Sequence, residues 1–208
     1  MTTGTPYRHP SASWRTTLIL LLITAAVAWA VPSPAATANA EPPRLRVSDR
    51  HLKALLDFGL AHSPTLAALV DRIEQASVLV FVDCGVRMPS RVGARLMFVT
   101  SVNDMRYVKI EIDCGLTPIQ RVPLLAHELQ HALEVGGRPD IVDINSMEAY
   151  YEEVGFEVSS DLSHRAFETA AAMDAQRRVH AEIRGKSWRA FNGQRAAAPA
   201  PLAAPASD

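Results

Sequence analysis

Leu124-Leu125-Ala126-His127-Glu128-Leu129-Gln130-His131-Ala132-Leu133 is the stretch of the chain whose residue types and spacing most clearly spell chemistry. On an α-helix, residues four apart stand about 40° apart around the axis and about 6 Å along it. The imidazoles of His127 and His131 therefore project from one face and can grip a single ion. Neutral imidazole nitrogens suit Zn²⁺ at about 2.0–2.1 Å. Glu128 is turned by about 100° from His127, which puts it beside the ion rather than on it. From there a carboxylate reaches an ion-bound water and takes its proton as the water attacks a carbonyl. The apolar frame of Leu124, Leu125, Leu129, Ala132 and Leu133 predicts that the helix is seated in a core, its ligands turned towards a cleft. Two buried histidines beside a buried glutamate would otherwise need partners of their own.

This His-Glu-x-x-His helix resembles the signature helix of the zincin metallopeptidases, which is likewise flanked by uncharged residues. The resemblance is closest over Leu124 to Leu133 and extends more weakly over Ala94 to Asp113, which looks like the strands that precede the helix in zincins. In that family an edge strand lies along the substrate, whose main chain extends the sheet. The metzincin extension is missing, since Glu134 stands where that pattern has Gly and Gly137 where it has His or Asp. The Gly-Thr-x-Asp segment of the aspzincins is missing too. The resemblance therefore implies the gluzincin arrangement, in which a Glu on a later helix completes the metal site.

Glu148, Glu152, Glu153 and Glu168 all lie downstream on segments with helical patterning. Glu148 and Glu152 share one face of a short helix, and Glu152 has a spacing from His131 typical of gluzincins. Glu168 lies farther on than is usual, but it falls in the first turn of the longest regular helix that remains, Ser163 to Arg184, next to an apolar stripe led by Phe167. A core-docked helix holds a ligand better than a short one. The run Ala166-Phe167-Glu168-Thr169 with Arg177-Arg178-Val179 also resembles a C-terminal helix of uncharacterised exported bacterial His-Glu-x-x-His proteins. The metal set expected is His127, His131 and Glu168, with Glu148, Glu152, Asp140 and Asp143 as alternatives for the third place. His164, Tyr150 or Tyr151 could donate to a tetrahedral oxyanion, and Asp140 or Asp143 could orient a ligand histidine through its far nitrogen. Each of these is also an ordinary residue for a cleft or surface.

The elements that must position these groups follow from patterning. Ser48-Asp49 predicts the start of a helix to about Leu60, and Ser63-Pro64 a second helix to about Gln75. Val78 to Val82 is a continuous β-branched and aromatic run, as in an internal strand. Ala94 to Val102 and Arg106 to Asp113 read as an antiparallel hairpin turned at Asn103-Asp104, with Val108, Ile110 and Ile112 on one face. The metal-binding helix runs from Pro118 or Pro123 to Val135 and is stopped by Gly136-Gly137. Asn145-Ser146 opens the short helix to about Val154. Gly155 to Leu162 has no clear pattern, and Trp188 is expected to cap the end of the domain. The predicted fold is α+β, a small, mainly antiparallel sheet packed with helices, zincin-like by resemblance.

The chain has 208 residues, 48% of them hydrophobic and 21% charged, an ordinary globular composition. Residues 1–40 contain Arg8 and Arg15 and no acid, then an apolar run from Leu18 to Val31, two prolines and Ala38-Asn39-Ala40. These are the parts of a secretory signal peptide, with the mature chain starting at Glu41. The apolar run is shorter than the roughly 20 residues of a comfortable span, and an uncleaved membrane anchor is the alternative. Residues 41–185 are expected to form the catalytic domain and 186–208 a disordered Ala- and Pro-rich tail. The mature part is slightly acidic, with 21 Lys plus Arg against 22 Asp plus Glu in the whole chain, so a nucleic-acid partner is disfavoured.

Two cysteines are too few for a disulfide-dense scaffold or a four-Cys zinc module. Cys84 and Cys114 each end an apolar run as Asp-Cys-Gly, and in an exported protein such a pair favours a disulfide. In a simple meander, however, the two strand ends would be about 9–10 Å apart, so the bridge requires them to curl together or lie adjacent. Otherwise they are two separate small buried residues. These readings converge on an exported or periplasmic zinc-dependent peptidase acting on a peptide or protein substrate. The alternative is an exported zinc-binding protein of the same fold without catalysis.

Overall fold

Alternation along Met105–Ile112 builds the centre of the sheet: Arg106, Val108, Ile110 and Ile112 are buried while the residues between them are partly exposed. The computed structural model describes residues 41–85, 88, 92–161 and 164–197, which belong to one unit, Glu41–Asp208. In chain order its elements are β1 (Leu45–Val47), α1 (Arg50–His62), α2 (Pro64–Gln75), β2 (Val78–Cys84), β3 (Ala94–Val102), β4 (Met105–Ile112), α3 (Pro118–Gly136), α4 (Ile144–Val154), β5 (Phe156–Asp161), β6 (His164–Glu168), α5 (Ala170–Ile183) and α6 (Trp188–Ala197). This is a mixed α+β fold with a small sheet packed against helices. The expected signal peptide, Ser163 and residues 198–208 lie outside the described residues. No helix among the described residues is long and apolar enough to cross a membrane.

The four-stranded sheet has the order β1-β2-β4-β3. Its β3–β4 pair is antiparallel as expected, but β1–β2 and β2–β4 are parallel. The sheet is therefore not mainly antiparallel and not a meander. The tight turn at Asn103-Asp104 forces β3 and β4 to be neighbours, with Asn103 taking φ 53° there. The longer connection from β2 to β3 passes over one strand position, so β4 enters between β2 and β3. Parallel pairing then brings the ends of β2 and β4 together. Cys84 and Cys114 have Cα atoms 5.5 Å apart and form a disulfide.

Val78, Val80 and Val82 of β2 join Val108, Ile110 and Ile112 of β4 against the helices, all essentially inaccessible to water. Asp49 caps α1 by accepting from the His51 and Leu52 amides, and Ser63 caps α2 through the Leu66 amide. Helix α3 crosses the sheet with Val122, Leu125, Ala126, Leu129, Ala132 and Val135 buried. At Gly136 an added Cβ would come within 3.0 Å of Val78, so the helix can approach the sheet closely there.

The last third of the chain departs from expectation. His164–Glu168, read as part of a helix opened by Ser163, is instead strand β6, paired with β5 in a separate two-stranded sheet. The helix begins at Ala170, because the Thr169 hydroxyl accepts the Ala172 amide and caps it. Its buried face is Ala172, Ala175, Val179 and Ile183, so Phe167 does not lead the helical stripe as predicted. Part of the segment expected as tail forms α6, whose Trp188 and Phe191 rings stand edge-on to Phe58 at 5.5 and 5.4 Å. Partial burial of those two aromatics against the core gives residues 188–197 a reason to be ordered that composition alone conceals.

Candidate metal site

Helix α3 presents His127, Glu128 and His131 at 5%, 6% and 6% exposure. The flanking leucines and alanines bury the helix, and the four-residue spacing turns both rings the same way. The two Nε2 atoms are 3.1 Å apart. Glu168, the last residue of β6, brings Oε2 to 2.7 Å from His127 Nε2 and 3.8 Å from His131 Nε2. An ion held tetrahedrally at 2.0–2.1 Å separates its ligand atoms by about 3.3 Å, and these three separations bracket that value. The buried Glu168 Oε2 has no hydrogen bond of good geometry among the described residues. His127, His131 and Glu168 thus form a buried group that can hold a metal ion.

The electrostatics favour a cation at this point. Burial opposes charge on His131, but the Glu134, Glu168 and Glu128 carboxylates outweigh it and raise its pKa to about 9. Burial also works against ionised Glu168, yet the two histidines bring it down to about 2. Burial of Glu128 pushes its pKa up against the pull of both histidines and of the Leu96 backbone N–H. That amide belongs to β3, so the edge of the sheet runs past Glu128. A carboxylate beside a site for a cation can accept a proton and return it.

The two imidazoles are held differently. His131 Nδ1 donates to Glu134 at 2.9 Å, which leaves Nε2 to face the site. The buried His127 Nδ1 has no hydrogen-bond partner among the described residues. Tyr151, considered above as an oxyanion donor, is packed beneath His131. Its ring stands edge-on at 5.3 Å, and its hydroxyl donates to the His131 carbonyl at 3.3 Å.

The remaining candidates lie elsewhere. Tyr150 carries the Arg138 guanidinium over its ring at 4.8 Å. Asp140 makes a two-point contact with Arg138, and Asp143 caps α4 through the Ser146 amide. Glu148 and Glu152 are on α4, outside the His127–His131–Glu168 group. The side chain of His164 lies outside the described residues. Glu134 was missed by sequence reasoning, although its place three residues after His131 on the same helix face was a usable signal. Compared with family models, with characterised proteins and with solved structures, the chain matches none.

Proposed function

We propose that the protein is an exported zinc-dependent hydrolase of peptide bonds, of zincin-like, gluzincin type. The observation that carries this reading is the meeting of His127 Nε2, His131 Nε2 and Glu168 Oε2 from two separate elements, with Glu128 buried beside them. Two imidazoles and one carboxylate are a donor set suited to Zn²⁺ that leaves a fourth position open. Bound there, Zn²⁺ would supply Lewis acidity towards a carbonyl oxygen and acidify a water. Glu128, buried on the same helix next to His127, would take the proton from the attacking water and pass it to the departing amine. The free edge of β3 lies past Glu128 and offers main-chain donors and acceptors to an extended peptide. Export is supported by the Cys84–Cys114 disulfide, which belongs to an oxidising compartment, and by the signal-like residues 1–40. The second reading, a zinc-binding protein without catalysis, is favoured by the deep burial of His127, Glu128 and His131.

The deciding experiment measures bound metal and peptide hydrolysis in one set of variants. Wild type is expected to hold about one zinc per chain. His127→Ala and His131→Ala should lose it, and Glu168→Ala should lose far more affinity than Glu148→Ala or Glu152→Ala. Glu128→Gln is expected to keep zinc and lose hydrolysis by at least about 100-fold. Full occupancy in both histidine variants would end the metal-site reading. A zinc-loaded wild type with no activity on a broad peptide library would transfer the protein to the binding class.

A further inference from the structure

Glu134 has no place in the chemistry above, yet its carboxylate collects three donors in a largely buried position. Its side chain is 11% exposed. Oε2 accepts His131 Nδ1–H at 2.9 Å, and Oε1 accepts the Thr169 hydroxyl at 2.8 Å and the Gln130 amide at 3.3 Å. Thr169 directly follows Glu168 and caps α5, so its position is coupled to the end of β6. One carboxylate on α3 thus holds one member of the metal-binding group directly and the neighbour of another through a hydroxyl. A solvent-exposed pair at this spacing would be worth little. Here the carboxylate is removed from water and satisfied by several donors, the condition under which such bonds define geometry.

We propose that Glu134 is a positioning residue for the metal site. It fixes His131 with the proton on Nδ1 and the Nε2 lone pair towards the ion, and through Thr169 it sets the approach of Glu168. The contrast with His127, whose Nδ1 has no partner among the described residues, makes the effect specific to one imidazole. Partners of this kind orient a ligand ring and raise its basicity, and removing one costs about 10–100-fold in metal affinity. This inference rests on the metal-site reading and names the residue that assembles the site rather than a further ligand.

The test uses the full-length chain loaded with zinc, with affinity read by competition against a chromophoric chelator and the His131 Nδ1 proton read by NMR. In wild type that proton should give a resonance that exchanges slowly with water. Glu134→Ala should lose the resonance and weaken zinc binding about 10–100-fold. Glu134→Gln, which keeps an acceptor oxygen, should keep the resonance and weaken binding only several-fold. Thr169→Val should weaken binding less than Glu134→Ala, and Thr169→Ser should restore it. If Glu134→Ala does not fold, Glu134→Gln decides, and wild-type affinity in that variant overturns the proposal. Zinc binding that is lost in His127→Ala but untouched in Glu134→Ala, with the proton resonance retained, overturns this proposal alone. A wild type that binds no zinc overturns the site reading along with it.

Discussion

The β3–β4 and β5–β6 hairpins are built on opposite terms. The β3–β4 hairpin belongs to a four-stranded sheet: Val108, Ile110 and Ile112 are fully buried, and β2 pairs with the far side of β4. Among the described residues the β5–β6 hairpin pairs only with itself, and it leaves Phe156 and Val158 about half exposed. A lone two-stranded hairpin is marginal in water, so this one depends on its ends. At its base β6 runs into the Thr169 cap of α5, and Glu168 reaches the histidine pair. The histidines are thus placed by a helix set in the core, whereas Glu168 is placed by anchors at the foot of a hairpin. One half of the site inherits the stability of the fold, and the other depends on a few polar contacts.

The largest effect expected from this contrast comes from truncating one β-branched residue in each hairpin. Ile110→Ala in β4 opens a cavity in a fully buried setting and should cost about 4 kcal/mol. Val158→Ala in β5, at 52% exposure, should change stability by no more than about 0.5 kcal/mol. Urea unfolding of both variants measures the difference. Similar costs would mean that the second hairpin is covered as well as the first, and the comparison would break.

The disulfide sharpens the same contrast. Cys84 and Cys114 are separated by 30 residues, and the loop they close contains the whole β3–β4 hairpin. Replacing both with Ala should lower stability by about 3.5 kcal/mol, chiefly by freeing that loop in the unfolded chain. The β5–β6 hairpin lies outside the loop, so local opening of β5 and β6, read by amide hydrogen exchange, should be little changed relative to global unfolding. A loss below about 1 kcal/mol would show that the loop is already restricted in the unfolded state.

The same division explains which parts of the structure were legible in the sequence. The β4 alternation, the Ser63-Pro64 start of α2 and the His-Glu-x-x-His helix are local signals, and each appears where periodicity and capping put it. Strand order was not legible, because the connection from β2 to β3 carries no mark of the position it skips; the parallel β2–β4 pair and the adjacency of Cys84 and Cys114 follow from that one step. The β5–β6 hairpin was hidden because Phe156–Asp161 and His164–Glu168 are short and mostly polar, with only three apolar side chains of strand character between them. The four-residue stripe of α5 could be extended backwards through Phe167 without any local conflict. Glu168 was named on the premise that it lay on a helix, and the structure brings it to the histidines from a strand end. Glu134, which accepts from His131 and Thr169, was passed over because it was weighed only as a departure from another zincin pattern.

The smallest expected effect concerns the ion pairs on the outer face of the first hairpin. Arg95 of β3 and Glu111 of β4 are cross-strand partners, joined at 3.0 and 2.6 Å, and Lys109 adds a contact to Glu111 at 3.1 Å. The hydrogen bond from Arg95 is the main reason that the Glu111 carboxyl is held below the usual carboxylate range, and Lys109 adds to it against the cost of desolvation. A carboxylate whose pKa is depressed by folding stabilises the fold above its unfolded pKa, about 4.3. That contribution fades as pH falls through the lower folded value. Glu111→Gln should therefore cost about 0.5–1 kcal/mol at pH 7, the range of a well-formed but partly exposed pair. The gap between variant and wild type should close as pH falls from about 4 towards the depressed folded value, because protonated Glu111 and Gln then carry the same charge. Urea midpoints at pH 7 and pH 3 measure this directly. A gap that stays constant over that range would show that Glu111 acts through packing of its side chain, and the ion pair would drop out of the account of what holds β3 to β4.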